Sequence, residues 1–301
     1  MDYSEAEKKL RDYGQEHILR YYDGLDDDEK KALLSQIKET DFGILSYIEG
    51  KDKVQRGVFS PLDALSIPQI NERRDEYYEE GARIIKDGKA ACLLLAGGMG
   101  TRLGADGPKG AFDLGKTHPV YVFQRLIENL MDVTVPLAVK IHLFIMTSEK
   151  NHARTVDFMK EHDYFGYDPS FVHFFPQEMA PACDYNGKVY MEEKGRIATS
   201  PNGNAGWYSS LKRAGLDSIL RDEGIEYINV FAVDNVLQRM ADPVFIGATS
   251  LKGCQVGAKV VRKVSPDEKV GVICLEDGRP SIVEYYELSD EMKDAKDAEG
   301  G

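Results

Sequence analysis

Apolar positions follow two regimes along the chain. Over residues 1–50 they recur at helical spacing: Leu10, Tyr13, His17, Ile18 and Tyr21 fall on one face. Asp26 stands where an N-cap would open a second helix, EKKALLSQIKE, and Gly24 separates the two. The pattern breaks at Gly50, Gly57, Pro61 and Pro68, which predicts a loop-rich tether. Helical spacing returns over 71–87 and ends before Gly88. Short apolar runs then alternate with helical stretches. The run AACLLL at 90–95 reads as a strand covered on both faces. Residues 140–146, 171–175 and 226–233 are strand-like, while 118–131, 149–161 and 206–221 are helix-like, the first with Pro119 in its opening turn. Further strands are predicted at 255–264, 270–275 and 281–286. This alternation predicts an α/β fold, with a mainly parallel doubly wound sheet and a more antiparallel last stretch.

Composition narrows the function without naming it. A chain of 301 residues with 42% hydrophobic and 30% charged residues can bury a sizeable core. Its net charge of −13 argues against nucleic acid and acidic membrane surfaces as partners, though local cations could still hold a nucleotide. Cys92, Cys183, Cys254 and Cys274 show no C-x-x-C spacing, so reduced thiols are expected. No apolar run approaches the ~20 residues of a membrane span. The N-terminal MDYSEAEKKL lacks the basic-then-apolar order of a signal peptide, and a cytoplasmic protein is expected. The six histidines form no metal-binding pair in sequence and read as structural.

Two glycine patterns compete for phosphate in LLLAGGMGTRLGADGPKGAFDLGKT, residues 93–117. Gly110 through Gly115, Lys116 and Thr117 match G-x-x-x-x-G-K-[ST] formally. No buried strand precedes Gly110, however, and Phe112 and Leu114 would crowd an anion nest, so this match reads as a decoy. The earlier pattern, Gly97, Gly98, Gly100 and Gly104, directly follows the buried run, where open α/β sheets bind ligands. Its spacing is not the dinucleotide fingerprint, because no helical pattern begins inside it. It carries Arg102, able to clamp phosphate oxygens in two places, and Lys109, a point charge. A mobile polyphosphate undergoing transfer would suit that set.

The same stretch resembles the signature of eukaryotic-type UDP-sugar pyrophosphorylases, in particular those acting on N-acetylglucosamine 1-phosphate. FFPQEMAPA, SPNGNAGWY, VFAVDNVL, ADPVFIG, GAKVVRK, GVIC and VEYYEL resemble further family blocks in family order, so the likeness covers roughly residues 40–288. It implies a GT-A-like nucleotidyltransferase core over 53–301 behind a helical N-terminal segment, 1–52. The implied reaction is UTP plus a sugar 1-phosphate giving a UDP-sugar plus pyrophosphate. Arg102 would hold the β- and γ-phosphates and Lys109 the α-phosphate. Leu95, Ala96, Gly97, Gly98, Gln177, Gly203 and Asp234 would bind the nucleotide, and Asp234 would also take Mg2+. Asn204, Gly271, Glu284 and Tyr285 would line the sugar site.

Asn202 stands where the N-acetylglucosamine enzymes often carry Asp. The N-A-G-N-like segment, a later lysine and the small C-terminal domain that the resemblance implies are not in this sequence, which reads as a truncated, monomeric form. Three alternatives stay open: glucose 1-phosphate as substrate, broad specificity, or a UTP-binding core without turnover. A GT-A glycosyltransferase is disfavoured because the central strands hold no D-x-D.

Overall fold

The computed structural model describes residues 1–46, 56–104 and 106–294; the side chain of Arg102 lies outside that description, as does part of the expected tether. Two N-terminal helices, α1 (Tyr3–Asp12) and α2 (Asp27–Glu39), each open with a capping box, Asp2 with Glu5 and Asp26 with Glu29. Each cap satisfies backbone donors that a helix start otherwise leaves free, worth ~1 kcal/mol. Their inward stripes, Ala6 and Leu10 with Leu33 and Ile37, close on Ile18, Leu25 and Phe42. The expected loop region contains a strand, β1 (Phe59–Pro61), and a short helix, α3 (Ile67–Glu72), before α4 (Arg74–Lys86).

The core follows as β2 (Ala90–Leu95), α5 (Val122–Leu137), β3 (Leu143–Thr147), α6 (His152–Glu161) and β4 (Val172–Pro176). An arm of short strands follows: β5 (Met179–Pro181), β6 (Met191–Glu193), β7 (Arg196–Ile197) and β8 (Thr199–Pro201). Then come α7 (Trp207–Arg213), α8 (Asp217–Asp222), β9 (Tyr227–Ala232), α9 (Pro243–Leu251), the hairpin β10 (Val272–Glu276) and β11 (Arg279–Val283), and α10 (Asp290–Asp294). The central sheet runs β4-β3-β2-β9, parallel throughout, while β1, β10 and β11 form a separate antiparallel sheet.

Alternation along β2 explains its unbroken apolar run. Ala90, Cys92 and Leu94 face a core built with Ile84, Leu126, Leu130 and Met159 from α4, α5 and α6. Ala91 and Leu93 face the opposite side, against Leu211, Trp207 and Ile219 of α7 and α8. Both faces are covered, so no polar side chain is tolerated on either.

Register then sets the site. Leu95 pairs with Met146 and Ala232, and Met146 pairs with Phe175, so all four strands end at one level. The chain leaves β2 for β3 and β4 on one side and returns to β9 on the other. The carboxyl end of β2 is therefore the switch point where such sheets open a ligand crevice.

Three sequence expectations are corrected. The helix expected from residue 118 begins at Val122, because the Asp113 carboxylate accepts from Gly115 and Val120 N–H and ties 113–120 into a loop. The single helix over 206–221 is two, parted where Gly215 takes φ +74°. Residues 255–264 are not a strand: Val256, Val260, Val261 and Val264 are all exposed, and β-branched composition without a pairing partner does not make one. The sequence pattern predicts no strand or helix for the arm or α9, although Asp242 before Pro243 is an N-cap signal and its carboxylate does accept from Val244 N–H.

Candidate functional site

Beyond the strand ends, ladder bonding continues for one residue each. Ala96 N–H donates to Met146 O (2.7 Å), Gln177 N–H to Thr147 O (2.7 Å) and Val233 N–H to Leu95 O (3.1 Å). These bonds bring Ala96, Gly97, Gly98, Gln177 and Asp234 out at one edge from three separate stretches of sequence.

The glycine loop is clamped from beneath by Asn151, a fully buried residue just before α6 that sequence reading missed. Its Nδ2 donates to Ala96 O (3.0 Å) and Gly98 O (3.2 Å), and its Oδ1 accepts from Ser148 N–H (2.8 Å). The only sequence signal was a polar residue three positions beyond Thr147–Ser148 at the end of a strand. From Met99 the chain makes an excursion that returns to pair with itself: Met99 bridges Pro108, and Gly100 N–H donates to Gly107 O (2.8 Å). Lys109 N–H then donates to Gly98 O (3.1 Å), which places the Lys109 side chain along the loop. Arg102 has its backbone in the short turn Gly100–Leu103 of that excursion.

Gln177 stands against this loop. A Cβ at Gly97 would lie 3.1 Å from Gln177 Oε1 and 3.5 Å from Ser148 N, so glycine keeps that space open for the backbone to be approached. Gln177 is 7% exposed, yet its side-chain amide makes no hydrogen bond among the described residues. Its amide atoms still reach solvent at the mouth of the loop, so water serves the amide while no ligand is bound. A ligand presenting one donor and one acceptor would take the place of that water, and the uracil edge presents both.

Lys109 Nζ forms an ion pair with Asp234 Oδ1, with the Lys109 side chain 28% exposed and that of Asp234 60%. The pair joins the end of the glycine loop to the end of β9. No group of three or more His, Cys, Asp or Glu poised for a metal occurs among the described residues. The donor set at this edge is one carboxylate. That suits Mg2+, which keeps waters and takes one or two carboxylates alongside phosphate oxygens, and it does not suit an all-protein cage.

Gly203 belongs to the same edge. It has φ +87° and ψ 167°, a conformation essentially reserved for glycine, and opens the turn Asn204–Gly206. Met179 pairs with Pro201 and Asn202 N–H donates to Glu178 O (3.0 Å), so Gln177 and Gly203 flank one two-stranded ribbon. Asn204 is exposed at its end.

The remaining expected residues form a second group. A Cβ at Gly271 would lie 3.5 Å from Glu284 Oε2, so these two adjoin on the β10–β11 hairpin. Tyr285 packs edge-on against Tyr286 with ring centroids 5.3 Å apart. Among the described residues no hydrogen bond or ion pair joins this group to the glycine loop.

The Gly110–Thr117 match to G-x-x-x-x-G-K-[ST], the Walker-like pattern, fails on geometry as well as context. Its amides are spent internally: Gly115 N–H donates to Asp113 Oδ1 (2.8 Å) and Leu114 N–H to Val120 O (2.7 Å). A Cβ at Gly110 would overlap the Phe123 ring, so that glycine serves packing.

A family model described as UTP–glucose-1-phosphate uridylyltransferase matches residues 46–300. The chain is 37% identical to UDP-N-acetylhexosamine pyrophosphorylase-like protein 1 of Mus musculus, over 97% of this chain and 62% of that protein. It is 35% identical to UDP-N-acetylglucosamine diphosphorylase 2 of Arabidopsis thaliana, over 98% of this chain and 63% of that protein. Among solved structures it superimposes on the UDP-N-acetylglucosamine pyrophosphorylase of Trypanosoma brucei, crystallised with an inhibitor. There the TM-score is 0.86 at 30% identity, covering 97% of this chain and 62% of that one. The chain thus spans about three fifths of the length of the relatives it matches.

Proposed function

The chain belongs to the UTP–glucose-1-phosphate uridylyltransferase family, and on that premise we propose that it transfers a uridylyl group from UTP to a sugar 1-phosphate, with N-acetylglucosamine 1-phosphate as the first choice. The observation that carries the reading is Gln177, 7% exposed and with its amide unpaired among the described residues, beside the open backbone of Gly97. The names of the relatives support the choice of sugar. Leu95, Ala96, Gly97, Gly98, Gln177 and Gly203 hold the uridine end. An oxygen of the sugar phosphate attacks the α-phosphorus in line, the new P–O bond forms, and the bond to the β-phosphate oxygen breaks with both electrons leaving on pyrophosphate. Lys109 stabilises charge at the α-phosphate and Arg102 holds the leaving β- and γ-phosphates, each supplying about 3 kcal/mol of transition-state stabilisation. Asp234 is the residue that would hold Mg2+, which when bound neutralises phosphate charge. Asn204, Gly271, Glu284 and Tyr285 receive the sugar. Monomeric, cytoplasmic action belongs to the same proposal; no helix among the described residues is long and apolar enough to cross a membrane.

A UTP-binding core without turnover is the second reading, favoured by the lack, among the described residues, of any bond between the glycine loop and the Gly271–Glu284 group. Incubation with UTP, Mg2+ and either N-acetylglucosamine 1-phosphate or glucose 1-phosphate, following pyrophosphate, separates the cases. Sugar-dependent pyrophosphate that is absent with UTP alone supports transfer, and the faster sugar names the substrate. UTP binding without pyrophosphate from either sugar leaves the second reading.

A further inference from the structure

The two ends of the β5–β8 arm are the places where Gln177 and Gly203 leave it. Within the arm the chain runs as a meander: Ala182 N–H donates to Ala198 O (2.9 Å), Tyr190 N–H to Ala182 O (2.8 Å) and Ala198 N–H to Tyr190 O (2.9 Å). So short a ribbon is marginal alone. What covers it is the N-terminal helical segment, from the opposite end of the sequence.

That cover is specific. Gln15, 4% exposed, uses its side-chain amide as a strand would: Nε2 donates to Gly187 O (2.8 Å) and Oε1 accepts from Val189 N–H (3.0 Å). Gln36 of α2 does the same to one residue, donating to Ile197 O (3.0 Å) and accepting from Ile197 N–H (2.8 Å). His17 Nε2 lies 2.8 Å from Val189 O. Val189 and Ile197 complete the apolar cluster of Ile18, Leu25, Leu33 and Ile37. A second link reaches the base of the arm directly, since Arg213 lies 3.7 Å from Glu39 of α2 and 3.6 Å from Glu178, the neighbour of Gln177.

We propose that the N-terminal helices are part of the nucleotide site: Gln15 and Gln36 are positioning residues that fix the arm, and thereby the spacing of Gln177 and Gly203 around the uridine end of UTP. The inference rests on the uridylyl-transfer reading of that site. Because the coupling is an equilibrium one, it works in both directions: if the clasp favours UTP, then UTP must tighten the clasp.

Two measurements test it. Hydrogen exchange on the unaltered chain, with and without Mg2+ and UTP, should show the Val189 and Ile197 amides exchanging more slowly once UTP is bound. Gln15→Leu and Gln36→Leu should each weaken UTP binding about tenfold at a temperature where the variant remains folded, since each leaves one backbone N–H and one backbone carbonyl of the arm without their side-chain partner. Lys31→Ala, which removes an exposed pairing with Asp28 on α2, should leave UTP affinity unchanged. Unaltered exchange at Val189 and Ile197, with folded variants that bind UTP as the parent does, overturns the proposal while leaving the nucleotide site intact. Failure of the unaltered chain to bind UTP overturns the site reading and the proposal with it. If a glutamine variant does not fold, the exchange measurement on the parent decides alone.

Discussion

Replacing Asn151 with Ala removes the clamp beneath the glycine loop without touching a ligand. Three buried hydrogen bonds go, to Ala96 O, Gly98 O and from Ser148 N–H. At ~1 kcal/mol net each, the sum is about 3 kcal/mol. Gly98 O keeps the Lys109 N–H at 3.1 Å, which lowers the expected loss to about 2–3 kcal/mol. For a chain of 301 residues that corresponds to a fall in Tm of about 3–5 °C. The loop then samples conformations that no longer present Gly97 and Gly98 together, so UTP affinity of the folded variant falls about tenfold, or ~1.4 kcal/mol. Thermal melts with and without Mg2+ and UTP, together with calorimetric titration well below the melt, give both numbers. An unchanged melt would refute the bond accounting. A lowered melt with unchanged UTP affinity would show that Asn151 braces the fold and does not prepare the loop.

Other expectations follow from separate regions. Helices α4 and α9 cross at backbone contact, where a Cβ at Gly247 would lie 1.8 Å from Tyr77 O, so Gly247→Ala should cost about 3 kcal/mol in a denaturant melt. Lys116→Ala should leave UTP affinity unchanged in a titration, because the Walker-like turn has its amides bonded internally. His142 and His173 share a hydrogen bond of 2.9 Å at the far end of β3. Burial, followed by the charge of His142, pushes His173 down to about 4, and burial also lowers His142. The unfolded chain therefore binds more protons between the ordinary histidine value near 6.5 and about 4, so stability is full above that window and falls as pH drops through it. Urea midpoints from pH 7.5 to 4.5 should show the fall, and His173→Phe should make it shallower.

What the sequence made legible was what a single stretch encodes. The apolar run at 90–95, the glycines after it and the capping residue Asp26 each act locally, and each stands where its pattern put it. The glycine excursion with Lys109 was distinguishable from the decoy at Lys116 because a buried strand precedes only the first. Four features resisted for physical reasons. Asn151 acts across a fold contact of more than fifty positions and carries no local pattern. The arm consists of strands two to three residues long, too short for a period to register. Residues 255–264 have strand composition but no partner, and composition cannot see a partner. The pairing of Lys109 with Asp234, 125 positions apart, follows from the parallel order of β2 and β9, which alternation suggests without fixing neighbours.

The central claim is that Gln177 is kept unpartnered for a ligand and not for the fold, and Gln177→Leu tests it. Because the Gln177 amide bonds no other described residue and reaches solvent, an apolar side chain of similar size should leave the ligand-free melt about unchanged. The same variant, titrated with Mg2+ and UTP, should bind at least about tenfold more weakly than the parent. Retained stability with lost UTP affinity is the result predicted. A variant that melts lower yet binds UTP as tightly as the parent would contradict it, and would return Gln177 to the ordinary structural residues of the strand end.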